Sequence, residues 1–176
     1  MEHLAFLDVF SLVQDYLKHI SRERGRCEAP PSKAAEVLRN VGSSLQKEVG
    51  SHLQPCLDSL EIRSVDEASR IFRQVMDEEF ADGNTNWGRI LTIFVFGGIL
   101  AEKLQGQGVP LEEKNLEQIA HFIAKYIIRT KAKWISEHGG WEDGFVARFE
   151  ENKPWLSVHN MKATIASVFS FFSQYY

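Results

Sequence analysis

"NWGRILTIFVFGGIL", residues 86–100, is the most apolar stretch of the chain, and the architecture follows from how it must be accommodated. From Trp87 to about Leu104 apolar side chains face every direction: Ile90, Leu91, Ile93, Phe94, Val95, Phe96, Ile99 and Leu100. A helix that is apolar all round has to be surrounded by other helices. Gly97 and Gly98 each cost about 1 kcal/mol relative to Ala in a helix interior, so their presence here predicts neighbours that approach closely. The run Ile90–Ala101 is closed by Arg89 and Glu102, and it falls short of the roughly 20 residues that a membrane span needs.

On both sides of this stretch the apolar residues recur at three- and four-residue steps. Leu4, Leu7, Val9, Phe10, Val13, Tyr16, Leu17 and Ile20 predict an amphipathic first helix. Residues 22–31 carry charge, Gly and two prolines and read as a loop. Ser32 is a candidate N-cap for a helix bearing Val37, Leu38, Val41, Leu45 and Val49, which Pro55 should end or split from a short helix over Cys56–Leu60. "SVDE" at 64–67 is a capping box ahead of Ala68, Ile71, Phe72, Val75, Met76 and Phe80. After the apolar helix, Leu116, Ile119, Ala120, Ile123, Tyr126 and Ile127 define another amphipathic face. Two shorter helices are expected around "KWISEH" and "WEDGFVARF", and a final one over 155–176 that can touch a membrane. Sustained period-two alternation is missing, so the chain is expected to be all-α, a single domain over 1–176 with about seven to nine helices.

Bulk properties narrow the function. A net charge of −4 over 176 residues, with no basic stripe, argues against nucleic acid as a partner. Cys27 and Cys56 are the only cysteines, too few for a disulfide framework or a zinc cluster. The six histidines never fall at metal-ligand spacing with a second donor. Neither a phosphate-cradling loop nor a nucleophile elbow occurs, so the expectation is a protein that binds partners, with no catalytic residue, cofactor, metal or small-molecule substrate.

Two compact motifs stand out. In "FADGNTNWGRI", residues 80–90, Asn86 can cap the apolar helix, Gly88 leaves room for another backbone, and Arg89 sits on the first turn. Free N–H groups and the helix dipole add to the guanidinium, giving a small basic site suited to a carboxylate on an incoming helix. The plainer reading is an ion pair between Arg89 and Asp77, Glu78, Glu79 or Asp82 of the same chain. In "KWISEHGGWEDGFV", residues 133–146, Gly139 and Gly140 fit a sharp turn out of a helix, a structural corner anchored by Trp134 and Trp141.

Taken together, in this order, "NWGRI…F…FGG" resembles the first homology motif of the Bcl-2 family of apoptosis regulators and "WI…GGWEDGF" the second. "FSLVQDYL" is similar to the family's fourth motif, and "VLRNVGSSLQKEV" stands where its third, the BH3 helix, belongs. "DGNTNWGR", "VQDYLK", "LQKEV" and "CLDSL" look most like the short lymphoid pro-survival branch, the Bfl type. The resemblance implies a helical bundle around a central apolar helix (about 87–104) with a groove that binds the BH3 helices of pro-death relatives. Such a helix presents four apolar residues and an Asp. Arg89 would pair with that Asp, with Asn86 hydrogen-bonding beside it and Gly88 admitting the backbone. The apolar side chains would enter pockets lined by Val49, Leu53 and Cys56, by Phe72, Val75 and Met76, and by Thr92 and Phe96, with Glu79 at the rim. Cys56 would then be either a groove thiol open to modification or a small inert side chain.

Within the chain's own BH3-like segment Leu38 and Gly42 match the family pattern, but Ser43 stands where Asp is expected. That departure favours a receiver of such helices over a donor. The implied role is a pro-survival one, in the cytoplasm and at the mitochondrial outer membrane. The alternative is a membrane-permeabilising relative that enters bilayers through the 87–129 hairpin.

Overall fold

Side-chain caps and apolar periodicity together set the helix limits. The computed structural model of the chain describes residues 2–21 and 28–150, which form six α-helices and one π-helical turn. α1 spans Glu2–Ser21, α2 Lys33–Asp58, α3 Val65–Glu79, α4 Trp87–Gly106, α5 Glu113–Glu137 and α6 Ala147–Glu150; the π-turn, Gly140–Val146, leads into α6. Ser32 caps α2 by accepting from the Ala35 N–H at 3.1 Å. Ser64 does the same for α3 from Glu67 N–H at 3.2 Å, while the Glu67 carboxylate accepts from Arg63 N–H at 2.9 Å. Asn86 opens α4 by accepting from Arg89 N–H at 2.9 Å.

α4 lies at the centre, with α1, α2, α3 and α5 packed round it. The two glycines take the place predicted for them. A Cβ on Gly97 would collide with Ile123 Cδ1 of α5, and one on Gly98 with Gln46 Oε1 of α2 and, at 2.8 Å, Ile20 Cδ1 of α1. α1 is tied to α2 by Arg39, which forks onto Asp15 at 2.6 and 2.9 Å. Leu7, expected on the buried face of α1, is exposed at 47%, whereas Leu12 is buried.

Two helix boundaries differ from expectation. Pro55 neither ends α2 nor splits it. Leu53 and Leu57, one turn apart and both buried, hold the last turn against the core although Pro55 has no N–H to donate, and Pro55 itself is exposed. "KWISEH" is no separate helix but the end of α5. The polar run Arg129–Lys133 hides the continuity, because the buried face there goes through Ile127, Lys131 and Ile135 at four-residue steps.

At the corner, Gly139 and Gly140 adopt positive φ of 96° and 67°. Trp87 meets Trp134 at 5.0 Å and Trp141 at 6.1 Å between ring centroids, so the corner is locked to the first turn of α4. Among the described residues no helix is long and apolar enough to cross a membrane. Of the expected 22–31 loop, residues 28–31 lie outside any helix. Cys27 and the expected final helix over 155–176 lie outside the described residues.

Candidate functional site

The turn between α3 and α4 collects charge. Arg89, on the first turn of α4, forks onto Asp82 with Nη1–Oδ1 at 2.6 Å and Nη2–Oδ2 at 2.7 Å. Its Nη1 also donates to the carbonyls of Glu79 at 2.9 Å and Asn84 at 3.1 Å. Nε stands 3.9 Å from Glu79 Oε1. The hydrogen bonds from Arg89 and from the Asn84 N–H hold the Asp82 carboxyl well below the usual carboxylate range. Asp82 in turn raises the Arg89 guanidinium, which burial opposes. The plainer reading of Arg89 is therefore the one this structure contains: an intrachain pair, with Asp82 as the counter-ion.

The same geometry answers why an arginine stands at the head of an apolar helix. Its guanidinium lies at the helix mouth, aimed at a carboxylate that comes from outside α4, and it binds that carboxylate in a fork. Asp82 belongs to an exposed turn, where Asp82, Gly83 and Asn84 all face solvent and Gly83 adopts φ 76°. Asn86 is exposed, with its side-chain oxygen engaged as the cap, and Gly88 is half-buried.

The expected groove residues share one location but not an open surface. α2 contributes Val49, Leu53 and Cys56, α3 contributes Phe72, Val75 and Met76, and α4 contributes Thr92 and Phe96. α2 and α3 each pack on α4, and the apolar side chains among these belong to, or pack against, one core. The Phe72 and Phe96 rings stack at 6.4 Å and 20°. All of these side chains are buried except Cys56, which is half-buried with a free thiol. Glu79 corrects the expectation most directly. It is no rim residue: it is 2% exposed and lies beneath Arg89. The reason is its position on the buried face of α3, one turn after Val75 and three residues after Met76.

Lys131 is a site residue that the sequence reading did not single out. It reaches from α5 to place Nζ 3.6 Å from the centroid of the Phe80 ring and 3.4 Å from Thr85 Oγ1. Its only signal in the sequence is the four-residue step from Ile127 to Ile135, which puts a lysine on a buried face.

An all-α bundle round a central apolar helix, with a forked arginine on the first turn of that helix, is the arrangement the two motifs imply. The profile described as "Apoptosis regulator proteins, Bcl-2 family" matches residues 38–141. The chain belongs to the Bcl-2 family of apoptosis regulators. Within that family it is 42% identical over 168 residues to Bcl-2-related protein A1 of Bos taurus, covering 96% of this chain and 95% of that protein. It is 34% identical over 140 residues to anti-apoptotic protein NR13 of Gallus gallus, covering 78% of this chain and 73% of that one. Among solved structures, the zebrafish pro-survival protein NRZ in complex with a Bad BH3 segment matches with a TM-score of 0.67 and 31% identity, covering 85% of this chain and 97% of that one.

Proposed function

We infer that this chain is a pro-survival regulator of the Bcl-2 family. It binds the BH3 helices of pro-apoptotic relatives between α2 and α3, over the floor of α4, and so prevents permeabilisation of the mitochondrial outer membrane. The observation that carries the reading is the Arg89 fork, which already grips a carboxylate at the first turn of α4. It acts by binding, as one domain over residues 1–176, in the cytoplasm and at the mitochondrial outer membrane.

Affinity comes from the apolar side chains. Each Leu or Ile of the ligand that is buried is worth about 1.5–3 kcal/mol gross, part of which association and helix ordering take back. Arg89 contributes less than an isolated charged pair would, because a ligand Asp replaces Asp82 and does not fill an empty site. Only the difference between two similar pairs counts, so Arg89 sets register and selectivity. Since Val49, Leu53, Phe72, Val75, Met76 and Phe96 are buried in this state, entry of the ligand requires that their present packing open.

The chain's own BH3-like segment supports a receiver. Leu38 is fully buried, Gly42 lies against the Tyr16 ring, and Ser43 turns its hydroxyl to the Arg39 carbonyl at 2.5 Å. That face is consumed by the core of its own molecule. The test is to titrate a Bad BH3 peptide into the protein with dye-loaded anionic liposomes present. Sub-micromolar binding with the liposomes intact is the expected result. Peptide-activated dye release would replace this reading with the permeabilising one, and a folded chain that ignores the peptide would remove both.

A further inference from the structure

Lys131 is 9% exposed, and among the described residues it forms no ion pair. An ammonium buried without a carboxylate is unfavourable, and the Phe80 ring and the Thr85 hydroxyl are partial compensation. Phe80 and Thr85 are the two ends of the turn that carries Asp82, so Lys131 lies under that turn. Burial pushes its pKa down, repulsion from Arg89 adds to this, and attraction by Asp82 opposes it. Lys131 therefore already stands in the field of both members of the Arg89–Asp82 pair. Asp82 itself sits on an exposed turn with a left-handed glycine beside it, and besides the Arg89 fork its carboxylate accepts from the Asn84 N–H at 3.0 Å.

We propose that Lys131 is the second counter-ion of Asp82: when an incoming carboxylate takes Arg89, Asp82 shifts to Lys131. This rests on the reading that Arg89 receives a carboxylate of the ligand. In the free protein Arg89 is paired with Asp82, and among the described residues Lys131 is met by the Phe80 ring and the Thr85 hydroxyl. With an acidic ligand bound, both cations hold a carboxylate, and the displaced Asp82 is not left facing the ligand's like charge. Lys131 is thus a positioning residue. It acts through Asp82 and favours ligands that carry an acid opposite Arg89.

The test measures affinity for a Bad BH3 peptide and for its Asp→Ala form, using the full chain and its Lys131→Met, Asp82→Asn and doubly substituted variants, each checked by thermal unfolding. Lys131→Met should weaken the Asp-bearing peptide about tenfold in the native background and less than about twofold alongside Asp82→Asn or against the Asp→Ala peptide. Asp82→Asn alone should tighten binding, and Lys131→Arg, which keeps the charge, should stay within about twofold of the native chain. A loss that persists undiminished beside Asp82→Asn would overturn the proposal in favour of direct contact between Lys131 and the ligand. An equal loss for both peptides would reduce Lys131 to support of the fold, and no loss at all would remove it from the site. If the native chain fails to bind either peptide, the functional reading falls and the proposal with it; binding without coupling removes the proposal alone.

Discussion

At the C-terminal end of α4, the Tyr16 hydroxyl donates to Gln46 Oε1 at 2.6 Å and Gln46 Nε2 donates to Glu102 Oε1 at 2.7 Å. At the N-terminal end, Arg89 grips Asp82, with Glu79 and Lys131 close by. Both clusters are polar, and they flank the two ends of the apolar stretch Ile90–Ala101 of α4, yet they are built differently. The first joins three helices, α1, α2 and α4, through side chains that each have a fixed place: Tyr16 and Gln46 are buried, and Gly98 supplies the room Gln46 needs. Burial drives the Tyr16 hydroxyl above its ordinary pKa. The second cluster takes its key carboxylate from an exposed turn. One end of α4 ties the bundle together, and the other holds its counter-ion on a solvent-exposed turn.

Substitutions at the two ends should therefore separate stability from binding. The largest effect is expected for Gly98→Ala. Its Cβ would meet Gln46 Oε1, which cannot retreat while it is bonded to Tyr16, and unfolding should lose about 2–3 kcal/mol. Urea titration measures it; a neutral result would mean that α2 and α4 can part without loss. Gln46→Leu should come next, at about 1–2 kcal/mol, because it strands the Tyr16 hydroxyl in the core. In both cases the folded fraction should keep the native affinity for a BH3 peptide, and a comparable drop in affinity would erase the distinction between the two ends.

The smallest effect belongs to Glu102. Although the residue is exposed, partial desolvation pushes its carboxyl up, with the hydrogen bond from Gln46 opposing. A raised folded-state pKa means that its contribution is complete below the unfolded value and is lost as pH rises through the folded one. Glu102→Gln should accordingly gain a few tenths of a kcal/mol at neutral pH and nothing in acid, the solvent-screened size appropriate to an exposed group. Chemical unfolding of the variant and the native chain at both pH values reads the sign; a gain confined to acid would reverse it.

The N-terminal end was the more legible one. Asn86, Gly88 and Arg89 fall within four residues at the start of α4, and the roles of Asn86 as cap and Arg89 as first-turn cation follow from helix geometry alone. Whether Arg89 faces a ligand or its own chain depends on the shape of the Asp82 turn, which no local pattern determines. Lys131 was hidden because a lysine among Arg129, Thr130 and Lys133 reads as a solvated face. The burial of Glu79 was hidden because a carboxylate is ordinarily placed outside. The Tyr16–Gln46–Glu102 chain links positions 30 and 56 residues apart, and such a meeting has no signature in sequence. Helix continuity through Pro55 had the same cause, since Leu53 and Leu57 are held by contacts made elsewhere in the fold.

Arg89 has one forked partner in the free protein, Asp82, and a second expected in the complex, the ligand Asp. A double-mutant cycle that pairs Arg89→Ala in this chain with Asp→Ala in a Bad BH3 peptide measures that contact with the apolar contacts held constant. The predicted result is strong binding by the native pair and a coupling above about 1 kcal/mol, so that the second substitution costs little once the first is made. Losses that simply add would contradict it, leaving Arg89 as the permanent partner of Asp82.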